Sequence, residues 1–182
     1  VCTGHYTRPR VPALPGADAF PGTITHSFHY KRPDAYAGRR VVLLGAGASG
    51  VDIAVDVAGT AAATYLAHRK VAAPAARRAD GVTEVPPVTA LRADGGVECA
   101  DGSVLASIDA VLLCTGYVFT FPFLDDGVGG VRITEGGSVV DGLYRHLVAV
   151  DTPTLAFVGL PIKVVPLPLF QEQAAWVAAA WT

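Results

Sequence analysis

Val41-Val42-Leu43-Leu44-Gly45-Ala46-Gly47-Ala48-Ser49-Gly50-Val51-Asp52 runs four apolar residues straight into a Gly45-x-Gly47-x-x-Gly50 turn. A buried parallel strand that ends in such glycines and then opens a helix is how an α/β protein holds a dinucleotide pyrophosphate. In that arrangement Gly45 makes the tight turn, Gly47 lets the backbone approach the phosphates and Gly50 lets helix and strand pack closely. The N–H groups at the helix N-terminus then face the anion. Ser49 stands where a hydroxyl can donate to a phosphate or cap the helix.

Glycine-rich turns are common in a chain with 20 Gly in 182 residues, so the flanking sequence decides. Val51, Ala54, Val55 and Ala58 fall at i, i+3, i+4 and i+7, a helical stripe, with Gly59 as its C′ stop. Ala63 to Ala67 reads as a second strand, which completes a β-turn-α-β unit. A partner for the adenosine ribose is expected about 20 residues beyond the glycines, acidic for NAD and basic for NADP. The chain offers His68, Arg69 and Lys70 there, with no carboxylate among them, which favours NADP and places Arg69 and Lys70 on its 2′-phosphate. Asp52 and Asp56, at i and i+4 away from the apolar stripe, read as solvated surface.

Composition narrows the classes. A net charge of -2 with scattered Lys and Arg gives no basic stripe and argues against nucleic acid as a partner. The chain is 51% hydrophobic and only 16% charged, yet its greasiest run, Leu155 to Phe170, is broken by Pro161, Lys163, Pro166 and Pro168 and is no transmembrane segment. The apolar excess points instead to surface that something else covers. With Met 0, and no signal-peptide pattern at Val1-Cys2-Thr3-Gly4, the chain reads as part of a longer protein. Cys2, Cys99 and Cys114 show no CxxC spacing, which argues against a disulfide framework, fits a reducing cytoplasm and leaves all three as buried small residues. His5, His26, His29, His68 and His146 have no metal-ligand spacing, so no metal is expected.

Along the chain, Thr3-Gly4 reads as a turn at a strand end, followed by a proline-stiffened connector through Pro15. The Ala- and Pro-rich stretch Val71 to Pro87 reads as a loop with a turn of helix. Strands are expected at Val88 to Leu91, Val97 to Ala100 and Ala110 to Cys114, with hairpin chemistry at Asp94-Gly95-Gly96 and Asp101-Gly102. A further strand is expected at Pro153 to Gly159 and a helix over Pro168 to Trp176. Cys114-Thr115-Gly116-Tyr117 echoes Cys2-Thr3-Gly4-His5-Tyr6 near the start.

Phe20-x-Gly22-x-x-x-His26-x-x-x-Tyr30, placed just ahead of the Gly45-x-Gly47-x-x-Gly50 turn, resembles the fingerprint of the flavin-containing monooxygenases, and the resemblance runs over nearly the whole chain. Baeyer-Villiger relatives usually carry Trp where this chain has Tyr30, so the N- and S-oxygenating branch is the closer one. The resemblance implies an α/β fold in which a Rossmann-like NADP domain, 38–116, is inserted into a partial FAD domain made of 1–37, which includes the fingerprint linker, and 117–182. It puts the crossings between the two domains at Thr3-Gly4 and Thr115-Gly116, with the latter pair between the two cofactors. Phe20 and Gly22 would fix a turn under the nucleotide, and His26 would either hold that loop or approach the nicotinamide as a catalytic group. Pro168 to Trp176 resembles the family's P-x-x-E-x-Q-x-x-W helix, with Gln173 on the glutamine near the flavin and Gln171 in place of the customary Glu.

The implied activity is NADPH-dependent oxygenation of a nucleophilic nitrogen or sulfur, or of a carbonyl, in a small molecule, through a flavin C4a-hydroperoxide formed from FAD and O₂. The family's first, FAD-binding GxGxxG is expected upstream of Val1, so this fragment alone is expected to be inactive; a homo-oligomer is compatible with these features. Two alternatives share the dinucleotide site: an NADPH-dependent flavin reductase of disulfide-reductase architecture, and a non-catalytic NADP-binding module.

Overall fold

The computed structural model describes residues 4–74 and 77–182. They form two compact units, Pro9–Gly116, and Val1–Arg8 with Tyr117–Thr182. The first unit follows β1 (Arg8–Pro9) with β2 (Thr23–His26), β3 (Arg40–Leu44), α1 (Ala48–Ala58), β4 (Ala63–Ala67), β5 (Val82–Val85), β6 (Val88–Leu91), β7 (Val97–Cys99), β8 (Val104–Leu105) and β9 (Ala110–Leu113). Five of these make a parallel sheet in the order β2-β9-β3-β4-β5, and β6-β7-β8 make a three-stranded antiparallel sheet.

The central strands are buried on both faces, which is why they read as unbroken apolar runs. Val41 and Leu43 of β3 pack with Leu112 of β9 and Leu66 of β4 against Ala54 and Val57 of α1. Val42, Leu44, Val111 and Leu113 point the other way, against Phe20, Leu91, Val97 and Ile108. The sheet is thus sandwiched between one helix and the small antiparallel sheet. Leu44, Leu113 and Ala67 stand in one row, with His26 beside Leu113, so the C-terminal ends of β2, β9, β3 and β4 finish together.

Four expectations need correction. Val82–Val85, placed in a loop, is the edge strand β5, because Val82 and Val85 bury fully against β4; the turn of helix expected in Val71 to Pro87 does not form among its described residues. The buried face of α1 is Gly50, Ala54 and Val57, while Val51 and Val55 are 37% and 42% exposed. The close approach of Gly50 to Gly45 O sets that rotation of the helix, one step round from the expected stripe. Gly59 closes α1 with φ −68, a right-handed rather than left-handed cap. The expected strand at 153–159 is a single bridge, Val148 to Ala156, since Pro153 lacks an N–H and Gly159 turns the chain at φ +92.

The second unit carries β10 (Tyr117–Val118), the hairpin β11 (Arg132–Thr134) with β12 (Val139–Asp141), the hairpin β13 (Leu143–Tyr144) with β14 (Val148–Ala149), and α2 (Pro166–Trp181). Its core is small: Val131, Val140, Ala149, Phe157 and Leu160 form one cluster, and Val177 of α2 packs with Leu147 and Val148 in another. No helix among the described residues is long and apolar enough to cross a membrane.

Candidate functional site

The strand order reverses at β3: the chain moves from β3 to β4 on one side and comes back to β9 on the other. The crevice at the C-terminal ends of β3 and β9 is therefore the switch point at which open α/β sheets bind ligands. Gly45 follows Leu44 there with φ +107, a conformation that suits glycine, and a Cβ on it would stand 2.6 Å from Cys114 O. A Cβ on Gly50 would overlap Gly45 O and reach within 3.3 Å of Cys114 Cβ. A Cβ on Gly47 would meet nothing within 4 Å. Gly45 and Gly50 are thus glycines because backbone crowds them, whereas nothing in the described chain crowds Gly47.

That open space is shaped for an anion. Gly47 is the N-cap of α1, no side chain caps the helix, and the first intrahelical bond runs from Val51 N–H to Gly47 O at 3.0 Å. The N–H groups of Ala48, Ser49 and Gly50 consequently remain outside the helix ladder. Ser49 is exposed in the same turn and is not the cap. Arg69 and Lys70 follow β4 on the same edge of the sheet, both exposed and, among the described residues, in no ion pair. Crowded glycines beneath, an open backbone face above and two cations at the neighbouring strand end fit a dinucleotide with an added phosphate.

The fingerprint residues divide. His26 ends β2 and is 4% exposed. Its Nδ1 accepts the Phe28 N–H at 3.0 Å, so Nε2 carries the proton and donates to Gly116 O at 3.0 Å. Burial pushes the His26 imidazole below 6.5, with the Gly116 bond working against it and His29 adding slightly to it. Gly116 O also accepts Arg10 N–H at 2.9 Å, and the Thr115 hydroxyl donates to Arg10 O. His26, Arg10, Thr115 and Gly116 therefore clasp the entry and exit of the unit together. Tyr30 donates its hydroxyl to Asp56 on α1 and stacks on Tyr36. Asp56 is thereby a partner of the fingerprint rather than plain solvated surface.

Phe20 is a core residue and Gly22 packs beneath its ring, where a Cβ would lie 2.6 Å from Cε1 and 2.7 Å from Asp109 O. Both precede β2, at the end of the sheet away from the glycine turn by the length of the strand, roughly 13 Å at ~3.3 Å per residue. The turn they make stands at the N-terminal end of β2, opposite the glycine turn. Gly4 is exposed with φ +67, and Thr3 lies outside the described residues. Gln173 is buried in α2, its Oε1 accepting Gly159 N–H at 2.9 Å, and it lines a cavity of about 670 Å³ with Tyr144, Arg145, Leu169 and Trp176. The Cys114 thiol, at the floor of the crevice, is pushed up to about 12 by burial, with a hydrogen bond to Ser27 opposing the shift. Among the described residues no group of three or more His, Cys, Asp or Glu side chains is placed to hold a metal ion.

Sequence reasoning missed the acidic group at this edge. Glu84, on β5, brings its carboxylate to 3.6 Å from His68 Nε2, so the end of β4 does have an acidic neighbour. It comes from the adjacent strand, where local sequence around His68 gives no sign of it; recognising β5 as a parallel neighbour of β4 is the signal that would have found it.

The family described as flavin-binding monooxygenase-like matches residues 1–83 and 79–181. Flavin-containing monooxygenase FMO GS-OX-like 2 of Arabidopsis thaliana is 35% identical over 98% of this chain. The structure of S-allyl-L-cysteine S-oxygenase from Allium sativum superposes with a TM-score of 0.85 at 36% identity over 97% of the chain. That of Tmm from Pelagibacter sp. strain HTCC7211 superposes with a TM-score of 0.84 at 27% identity over 98% of it. This chain spans 38% of the length of the first of these relatives and 40% of the other two.

Proposed function

From the premise that this chain belongs to the flavin-binding monooxygenase-like family, we propose that it is the NADP-binding portion of a flavin monooxygenase acting on a small nucleophilic sulfide or amine. The observation that carries this reading is the cradle itself: Gly45 and Gly50 crowded by backbone, Gly47 open, and Arg69 and Lys70 exposed at the next strand end. A sulfide is favoured because a neighbour of the same fold at 36% identity is an S-oxygenase.

In this reading the N–H groups of Ala48, Ser49 and Gly50 hold the pyrophosphate, the Ser49 hydroxyl adds a donor, and Arg69 and Lys70 take the 2′-phosphate. His26 acts as a positioning residue, with both ring nitrogens engaged within the chain, and keeps Thr115-Gly116 in place at the mouth of the crevice. Phe20, Gly22 and Tyr30 hold the sheet edge and α1 in register around it. The second unit, 1–8 with 117–182, would contribute to the FAD domain, and Gln173, on the wall of its cavity, would help to hold the flavin. NADPH supplies a hydride and the flavin activates O₂; the protein binds, orients and excludes water. Cysteines without disulfide spacing support a reducing, cytoplasmic setting for it.

Arg69→Ala tests this directly. It should weaken NADPH by about tenfold, worth about 1.4 kcal/mol, with little change for NADH, read as dissociation constants from the quenching of intrinsic fluorescence. Equal losses for both nucleotides would sink the 2′-phosphate role.

A further inference from the structure

Glu84 raises a difficulty that the structure also answers. A carboxylate at the end of the second strand is what NAD-type sites use to accept ribose hydroxyls, and it opposes a 2′-phosphate. Here His68 follows the end of β4, but Glu84 reaches the same place from β5, with its side chain 31% exposed. Left bare, its charge would act against Arg69 and Lys70.

It is not left bare. Arg78 Nη1 lies 3.0 Å from Glu84 Oε1, and Arg78 Nη2 pairs with Asp80. The guanidinium is held by the turn that leads into β5: Arg78 N–H donates to Val82 O at 2.8 Å, Gly81 N–H returns to Arg78 O at 3.0 Å, and Asp80 Oδ1 accepts Val82 N–H at 3.2 Å. Asp80 thus spends its carboxylate on the turn and on Arg78, while Arg78 and His68 flank Glu84.

We propose that Arg78 determines nucleotide choice at this edge: by holding Glu84 in an ion pair beside His68, it prevents that carboxylate from repelling the 2′-phosphate of NADP. This rests on the reading of Arg69 and Lys70 as the 2′-phosphate site. Arg78 acts through Glu84 and is a positioning residue; Glu84 is the group that discriminates. Remove Arg78, and Glu84 is free to turn toward the ribose, where it disfavours a phosphate and accepts from a hydroxyl.

The test uses the full chain and two probes that represent the adenosine half of each nucleotide, adenosine 2′,5′-bisphosphate and 5′-AMP, with dissociation constants measured by titration calorimetry. The unaltered protein should prefer the bisphosphate. Arg78→Ala should cut that preference by about tenfold, the size expected for one unmasked charge near a phosphate at a half-exposed site, with 5′-AMP little changed. Arg78→Lys should keep most of the preference, and adding Glu84→Gln to Arg78→Ala should restore it, a rescue that loss of local structure would not give. If Arg69→Ala abolishes the preference while Arg78→Ala leaves it intact, or if Glu84→Gln brings no rescue, the inference falls and the 2′-phosphate site stands. If the unaltered protein shows no preference at all, both fall together.

Discussion

Gly50 and Gly47 are three residues apart in one turn, yet alanine at the two positions should have opposite consequences. At Gly50 the new Cβ overlaps Gly45 O, a backbone atom with no rotamer to escape through, and comes within 3.3 Å of Cys114 Cβ. Relief requires α1 to lift off β3 by about an ångström, which opens the packing of Ala54 and Val57 on Val41 and Leu43. Overpacking of this kind costs about 1–3 kcal/mol, and with backbone on the opposing side the upper end applies, about 3 kcal/mol. For a chain of this size that lowers Tm by about 6–12 °C. At Gly47 the Cβ meets nothing within 4 Å, and φ −76 is open to any residue. Alanine there should cost at most about 1 kcal/mol, the price of a poorer N-cap, but should stand where a pyrophosphate must approach and weaken NADP by about tenfold or more, about 1.4 kcal/mol. Thermal unfolding by circular dichroism and titration with NADP would separate the two effects. A Gly50→Ala protein as stable as the parent, or a Gly47→Ala protein that loses stability without losing nucleotide, would refute the assignment of a packing role to one glycine and a binding role to the other.

Tyr30 gives a stability signal in alkali. Burial and the bond to Asp56 raise its phenol above 10.0, so its contribution is complete below pH 10 and is lost as pH climbs beyond it; Tyr30→Phe should unfold more easily at neutral pH and show a flatter alkaline limb in urea titrations. His26 acts at the other end of the scale. Its imidazole is held below 6.5, so the unfolded chain binds more protons and stability declines as pH falls through 6.5; His26→Leu should lose about 1–3 kcal/mol at pH 7, by removing the acceptor of Phe28 N–H and one of the donors to Gly116 O, and part of that acid dependence. With its thiol pushed up to about 12, Cys114 should resist iodoacetamide at pH 8 in the folded protein and react at once in denaturant, and mass spectrometry that found it alkylated under native conditions would contradict its burial.

The glycine turn and the strands around it were legible because they are written in local terms. Val41 to Leu44 is apolar without a break, glycines punctuate it, and Ala63 to Ala67 and Ala110 to Leu113 are short buried runs bounded by turn residues. What escaped depends on neighbours. Val82-Thr83-Glu84-Val85 is too short to show a period among alanines and prolines, and becomes a strand through pairing with β4. Thr23 to His26 read as part of a fingerprint and turned out to be the edge strand beside β9. The rotation of α1 is fixed by a contact between Gly50 and Gly45, which no count of apolar spacing contains. For the same reason Arg69 and Lys70 could be named from sequence, whereas Glu84 and Arg78, which stand at the same edge, could not.

The clasp between Arg10 and Gly116 bears on the order in which the chain folds. Arg10 N–H meets Gly116 O at 2.9 Å, so once Pro9–Gly116 is folded, its two ends are neighbours. For the outer unit, the intervening hundred or so residues then behave as a link of only a few. Closing a loop of that full length would cost about 3 kcal/mol more than closing the short one. Synthesis delivers Pro9–Gly116 before Tyr117–Thr182, so it can assemble as an independent body, and the early and late segments that flank it are then brought together without that entropic loss. Weakening the clasp should accordingly slow the maturation of the outer unit more than it loosens the inner one.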